Sequence, residues 1–131
     1  MSTTNDRLRE PPEERFAAPQ HLFDLDSALA ELRAEAHPSQ RGRRQIMLYH
    51  RDGASIILFS FDEGGQLPDH KADGIVIIRA LEGRLKVEAG GERYDLVPSS
   101  LLVLAPDVPH NVIATEQSAL LVTICRETQA A

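Results

Sequence analysis

Cysteine is nearly missing from this chain. Cys125 is the single one in 131 residues, which excludes an internal disulfide and any cysteine-rich metal site. Its neighbours Val122 and Ile124 are apolar, so a buried structural thiol is expected rather than a reactive nucleophile. Positive charge is also short. Lys and Arg number 14 against 20 Asp and Glu, and the net charge of −6 argues against a nucleic-acid partner, which calls for a basic face. No apolar run comes near the roughly twenty residues that cross a bilayer, so no membrane partner is expected. The opening Met-Ser-Thr-Thr-Asn-Asp-Arg-Leu-Arg-Glu lacks the apolar segment of a secretory leader, which makes a cytoplasmic protein the default. No serine or cysteine stands in a nucleophile elbow. Gly64-Gly65 and Gly90-Gly91 have neither the lysine-serine pair nor the following helix of a phosphate loop, and read as turns.

What the chain does have is the length for one domain with a sizeable core. Residues 1–20 are polar and hold Pro11, Pro12 and Pro19, a composition that buries too little surface to offset its ordering and predicts a flexible tail. A short amphipathic helix is expected over about residues 26–36. Asp26 or Ser27 would cap it, Leu25, Ala28, Leu29 and Leu32 would share a face, and His37-Pro38 would stop it. Its apolar stripe would cover the outside of a sheet.

From about residue 46 to 125 the texture changes. Short runs rich in Ile, Val, Leu and Phe alternate with turns such as Arg51-Asp52-Gly53, Glu82-Gly83 and Pro98-Ser99-Ser100. Strands at this spacing, with no helix between them, predict an all-β antiparallel sandwich or barrel within a single domain spanning 21–131. Ile75–Ile78 and Leu101–Leu104 are apolar at every position, so both faces of each should be buried. The outer face would need the helix or a second subunit, and a homodimer is expected.

Two histidines carry the functional signal. His70 lies in Gly64-Gly-Gln-Leu-Pro-Asp-His70-Lys-Ala72-Asp-Gly-Ile-Val76, with Gly83 after the next strand. His110 ends Pro98-Ser-Ser-Leu-Leu-Val-Leu-Ala-Pro-Asp-Val-Pro-His110. This two-part pattern resembles the cupin family, whose first motif runs G-x5-H-x-H-x(3,4)-E-x6-G and whose second runs G-x5-P-x-G-x2-H-x3-N. Gly64, His70 and Gly83 match the first motif, while its second histidine falls on Ala72 and its glutamate on Val76. In the second motif His110 matches, and the other marked positions fall on Ser99, Ala105, Asp107 and Ala114. Aspartate at 107 tolerates the left-handed turn such a position wants.

The resemblance implies a cupin jelly roll with a short N-terminal helix and a pocket lined by His70, Ala72, Val76, Ile78 and His110. It also implies a divalent transition metal as cofactor, with His70 and His110 as its ligands. Catalytic zinc keeps three protein ligands and non-heme iron keeps two histidines and a carboxylate, so alkyl groups at 72 and 76 leave such a site incomplete. Gln66, Asp69 and His50 are the candidate replacement ligands. His21, His37 and His50 read as tail, helix-stop and hairpin residues. Arg41-Gly-Arg-Arg44 reads as a solvated connector or as an anion or carboxylate clamp.

The favoured reading is a cupin-fold protein that binds a small molecule in its barrel without a complete metal-dependent catalytic site. The alternatives are an oxygenase or isomerase using His70 and His110, and a regulatory or sensory partner protein.

Overall fold

The computed structural model describes residues 12–127 of the chain. Two helices precede nine strands: α1 (Pro12–Arg15), α2 (Leu25–Arg33), β1 (Arg43–Arg51), β2 (Ala54–Phe61), β3 (Gln66–His70), β4 (Ile75–Glu82), β5 (Leu85–Ala89), β6 (Glu92–Leu96), β7 (Leu101–Leu104), β8 (His110–Ala114) and β9 (Ser118–Cys125). The strands form two antiparallel sheets, ordered β1-β2-β9-β4-β7 and β3-β8-β5-β6. This is the all-β antiparallel sandwich that the strand spacing predicted, in the jelly-roll form that the resemblance implied.

Alternation decides which residues meet between the sheets. Along β5, Leu85, Val87 and Ala89 are buried while Lys86 and Glu88 are exposed. They face Ala114, Val112 and His110 of β8 in register. From the other sheet Phe59, Phe61, Val76, Ile78, Leu104 and Leu120 complete one apolar core. Burying each such side chain stabilises the fold by about 1.5–3 kcal/mol before the entropy of ordering is set against it.

A second core lies outside the five-stranded sheet. Leu29 and Leu32 of α2 pack on Leu48, Leu58 and Ala119, so β2 and β9 are buried on both faces there and their alternation disappears. Arg33 fixes the helix with a bidentate pair to Glu82 at 3.1 Å and a bond to Ser60 Oγ at 3.3 Å. The helix is capped two to three residues earlier than expected. Asp24, not Asp26 or Ser27, accepts the Ser27 backbone N–H at 3.1 Å, and the helix ends at Arg33 rather than near residue 36. Barrel pairing likewise begins at Arg43, ahead of the first aliphatic residue of the run.

The expected tail divides in two. Residues 1–11 lie outside the described residues, while Phe16 is buried with its ring 5.7 Å from that of Tyr49, and Arg15 donates to the Met47 carbonyl.

One burial expectation is overturned. Cys125 is exposed, because it sits on the outer face of β9 opposite Ile75, beyond the reach of α2. Its apolar neighbours Val122 and Ile124 point the other way, into the barrel. In the single chain Leu101 and Val103 of β7 are 63% and 56% exposed, since α2 covers β1 and β2 and leaves the β4–β7 edge open, so of the two expected covers the helix is not the one that reaches them.

Candidate functional site

The segment that delivers His70 is a strand that periodicity did not reveal. Pro68 interrupts it, but β3 is a sheet edge, where a residue without an N–H costs no ladder bond. A bulge between Leu67 and His70 re-aims the last residue, which then pairs directly with His110 at the start of β8. The turn before β8 is held by Asp107, whose φ of 65° is the left-handed conformation expected there, and by the Asp107 N–H donating to the Ala72 carbonyl at 2.8 Å.

The two imidazoles therefore meet, with ring centroids 4.0 Å apart and planes at 58°. Each accepts the same local restraint. His70 Nδ1 lies 3.0 Å from the Pro68 carbonyl and His110 Nδ1 lies 3.0 Å from the Val108 carbonyl. A carbonyl only accepts, so Nδ1 carries the proton in both rings, and in the neutral form each Nε2 keeps its lone pair. His110 is buried, and its pKa falls below the ordinary 6.5. Burial is the main cause and the nearby His70 charge adds to it, while the bond to Val108 pulls the other way.

These rings open on a cavity of about 280 Å³ between the sheets, at the small end of ligand sites. Ala72, Val76 and Ile78 line the same cavity, so the structure brings together all five residues singled out from the sequence. Three polar candidates lie elsewhere. His50 is bonded to Ser55 Oγ at 2.8 Å, Asp69 accepts from Asn111 Nδ2 at 2.7 Å, and the exposed Gln66 is bonded through its backbone, its carbonyl accepting from Arg43 and its N–H donating to the Arg41 carbonyl. His21 stacks on Phe23, and His37 lies beside Glu35.

Arg43 and Gln45 are lining residues that the sequence pattern hid. Both precede Ile46, where the aliphatic run begins, yet they pair with Phe61 and Phe59 and share their inward face. The signal was present in the basic Arg41–Arg44 cluster, from which only Arg43 reaches the cavity. Arg43 Nε donates to Gln45 Oε1 at 3.1 Å and Nη1 to the Gln66 carbonyl at 2.9 Å.

A complete metal site does not fit this donor set. Val76, only 2% exposed, fills with an alkyl group the place of the motif's carboxylate, and Ala72 does the same for an imidazole. Among the described residues no three His, Cys, Asp or Glu side chains gather where they could share an ion. What the arrangement offers is an apolar slot with two hydrogen-bond acceptors on one wall and a cation on another.

Comparison with known proteins agrees with the fold. The sequence profile of the AraC-like ligand binding domain matches residues 54–126. A cupin superfamily protein from Desulfitobacterium hafniense is 21% identical, with 86% of this chain and 96% of that one covered at a TM-score of 0.67. An RmlC-like cupin from Desulfovibrio desulfuricans is 26% identical, with 70% and 91% covered at a TM-score of 0.60. One from Shewanella frigidimarina is 19% identical, covering 67% and 79% at 0.63. No curated protein matches the chain. The cupin resemblance read from two motifs is thus borne out.

Proposed function

Because this chain belongs to the AraC-like ligand-binding domain family, we propose that its barrel binds a small, partly apolar organic molecule and that binding, rather than a complete metal-dependent site, is its task. One observation carries this reading. Among the described residues the Nε2 atoms of His70 and His110 have no hydrogen-bond partner, and the rings line a cavity whose other walls are largely alkyl and aromatic. A ligand that donates a hydrogen bond to them satisfies both the rings and the apolar walls.

The test is calorimetric binding by the wild type and by Ala72→Trp, which fills the slot from a half-buried position. Loss of binding in the variant with an unchanged fold supports the reading. About one tightly held transition metal per chain, in protein purified without chelators, would contradict it.

The pairing of a buried imidazole with a second one favours one alternative, a metal-free acid–base enzyme such as an isomerase. Under that reading His70→Ala and His110→Ala abolish turnover and leave stability nearly intact. We further propose a homodimer in which a second copy covers Ile75, Leu101 and Val103, an apolar face otherwise open to water. Sedimentation of Val103→Lys tests it: a dimer becoming monomeric is the expected outcome. A cytoplasmic location suits the exposed unpaired thiol of Cys125. Among the described residues no helix is long and apolar enough to cross a membrane.

A further inference from the structure

Among the described residues, Arg43 is the one Lys, Arg, Asp or Glu side chain lining the cavity. A guanidinium has five N–H groups, and Gln45 and the Gln66 carbonyl take two of them. Both acceptors are neutral, and no Asp or Glu carboxylate among the described residues pairs with Arg43. The three remaining N–H groups include those of Nη2, the half of the fork that a carboxylate engages. Burial, with the charge of Arg41 second, draws the Arg43 pKa below its ordinary value, the mark of a cation that gains from an anion beside it.

The position of Arg43 gives the ligand a length. It is bonded to the first residue of β3, whereas His70 is the last. These stations are about 13 Å apart along the strand, less the reach of the two side chains. Between them the wall is apolar, with Leu67, Ile57 and Phe59. The cavity is thus polarised: a cation near one station, two neutral acceptors near the other, and nothing charged between. A dicarboxylate would set its second anion against two lone pairs.

We infer that the cavity takes a small, elongated organic monocarboxylate, its anionic end on Arg43 and a hydroxyl or amino donor near its other end on the His70–His110 pair. This rests on the small-molecule reading above and narrows it to a class of ligand. The neutral imidazoles select for the donor, the guanidinium selects for the charge, and the alkyl walls select for the body between.

Three probes test the inference by titration calorimetry near neutral pH: 3-(4-hydroxyphenyl)propionate, its primary amide, and 4-propylphenol, which shares the body without the acid. The wild type binds the acid about tenfold to a hundredfold more tightly than the amide, as a charge-assisted bond warrants. Arg43→Gln erases that difference and Arg43→Lys keeps part of it, with melting temperatures confirming that both variants fold. Equal affinity for acid and amide in the wild type, or a preference that survives Arg43→Gln, overturns the inference. Failure of the acid to bind also overturns it. The small-molecule reading then still stands if 4-propylphenol binds the wild type and not Ala72→Trp, and it falls as well if none of the three binds.

Discussion

His110 and Ser118 are both polar and both buried, at 3% and 0% exposed, yet they sit in opposite situations. Ser118 Oγ accepts from the Arg84 N–H at 3.1 Å and lies 2.8 Å from the Glu116 carbonyl and 3.3 Å from that of Arg84. Its O–H and an acceptor lone pair are both spent inside the protein. His110 spends only Nδ1, on Val108, and leaves Nε2 to the cavity. A buried polar group that is fully partnered holds the fold, and one half-partnered beside a cavity is held by the fold for something else.

The sharpest way to break that comparison is to attack the knot around Ser118. Gly83 has φ of 81°, and a Cβ there would lie 2.2 Å from Ser118 Oγ and 2.4 Å from the Gln117 carbonyl. Gly83→Ala is expected to cost about 3 kcal/mol or more of stability in chemical denaturation, with collapse of the β4–β5 turn. Next comes Ser118→Ala, which strands the Arg84 N–H and should cost about 1–3 kcal/mol while leaving the affinity for a cavity ligand unchanged. His110→Leu is the complementary change. It should alter stability by less than about 1.5 kcal/mol, since an alkyl group suits that wall, and abolish ligand binding measured on the same sample.

The smallest effect is a pH dependence. The folded pKa of His110 lies below the ordinary 6.5, so below that value the unfolded chain takes up the proton first. Stability contributed by the neutral ring is complete above 6.5 and is lost as pH falls through the folded pKa. Melting temperatures should therefore decline more steeply below 6.5 in the wild type than in His110→Leu; parallel declines would place the ring in water.

How much of this was legible in the chain follows from where the signal lies. Ile, Val and Leu runs broken by Asp-Gly and Glu-Gly turns gave the sheets, because alternation and turns are local properties. The histidines were visible through their motif. β3 was not, because Pro68 and two acidic or amide neighbours look like a loop, and only edge position makes them tolerable in a strand. Arg43 and Gln45 were hidden for a related reason: polar residues facing a cavity break the apolar rhythm that marks a strand. Cys125 misled in the opposite direction, since its apolar neighbours cover one face of β9 and it belongs to the other. Sequence shows which residues alternate, but which face a helix covers is settled only by tertiary packing.

The central claim is that the two imidazoles present unprotonated Nε2 atoms to a cavity that a ligand fills. A long-range nitrogen–proton NMR spectrum of the histidine rings tests it most directly. It should show His70 and His110 as Nδ1–H tautomers above pH 6.5, with His110 titrating below that value. Nε2–H tautomers in both rings, with His110 titrating no lower than an exposed histidine, would contradict it.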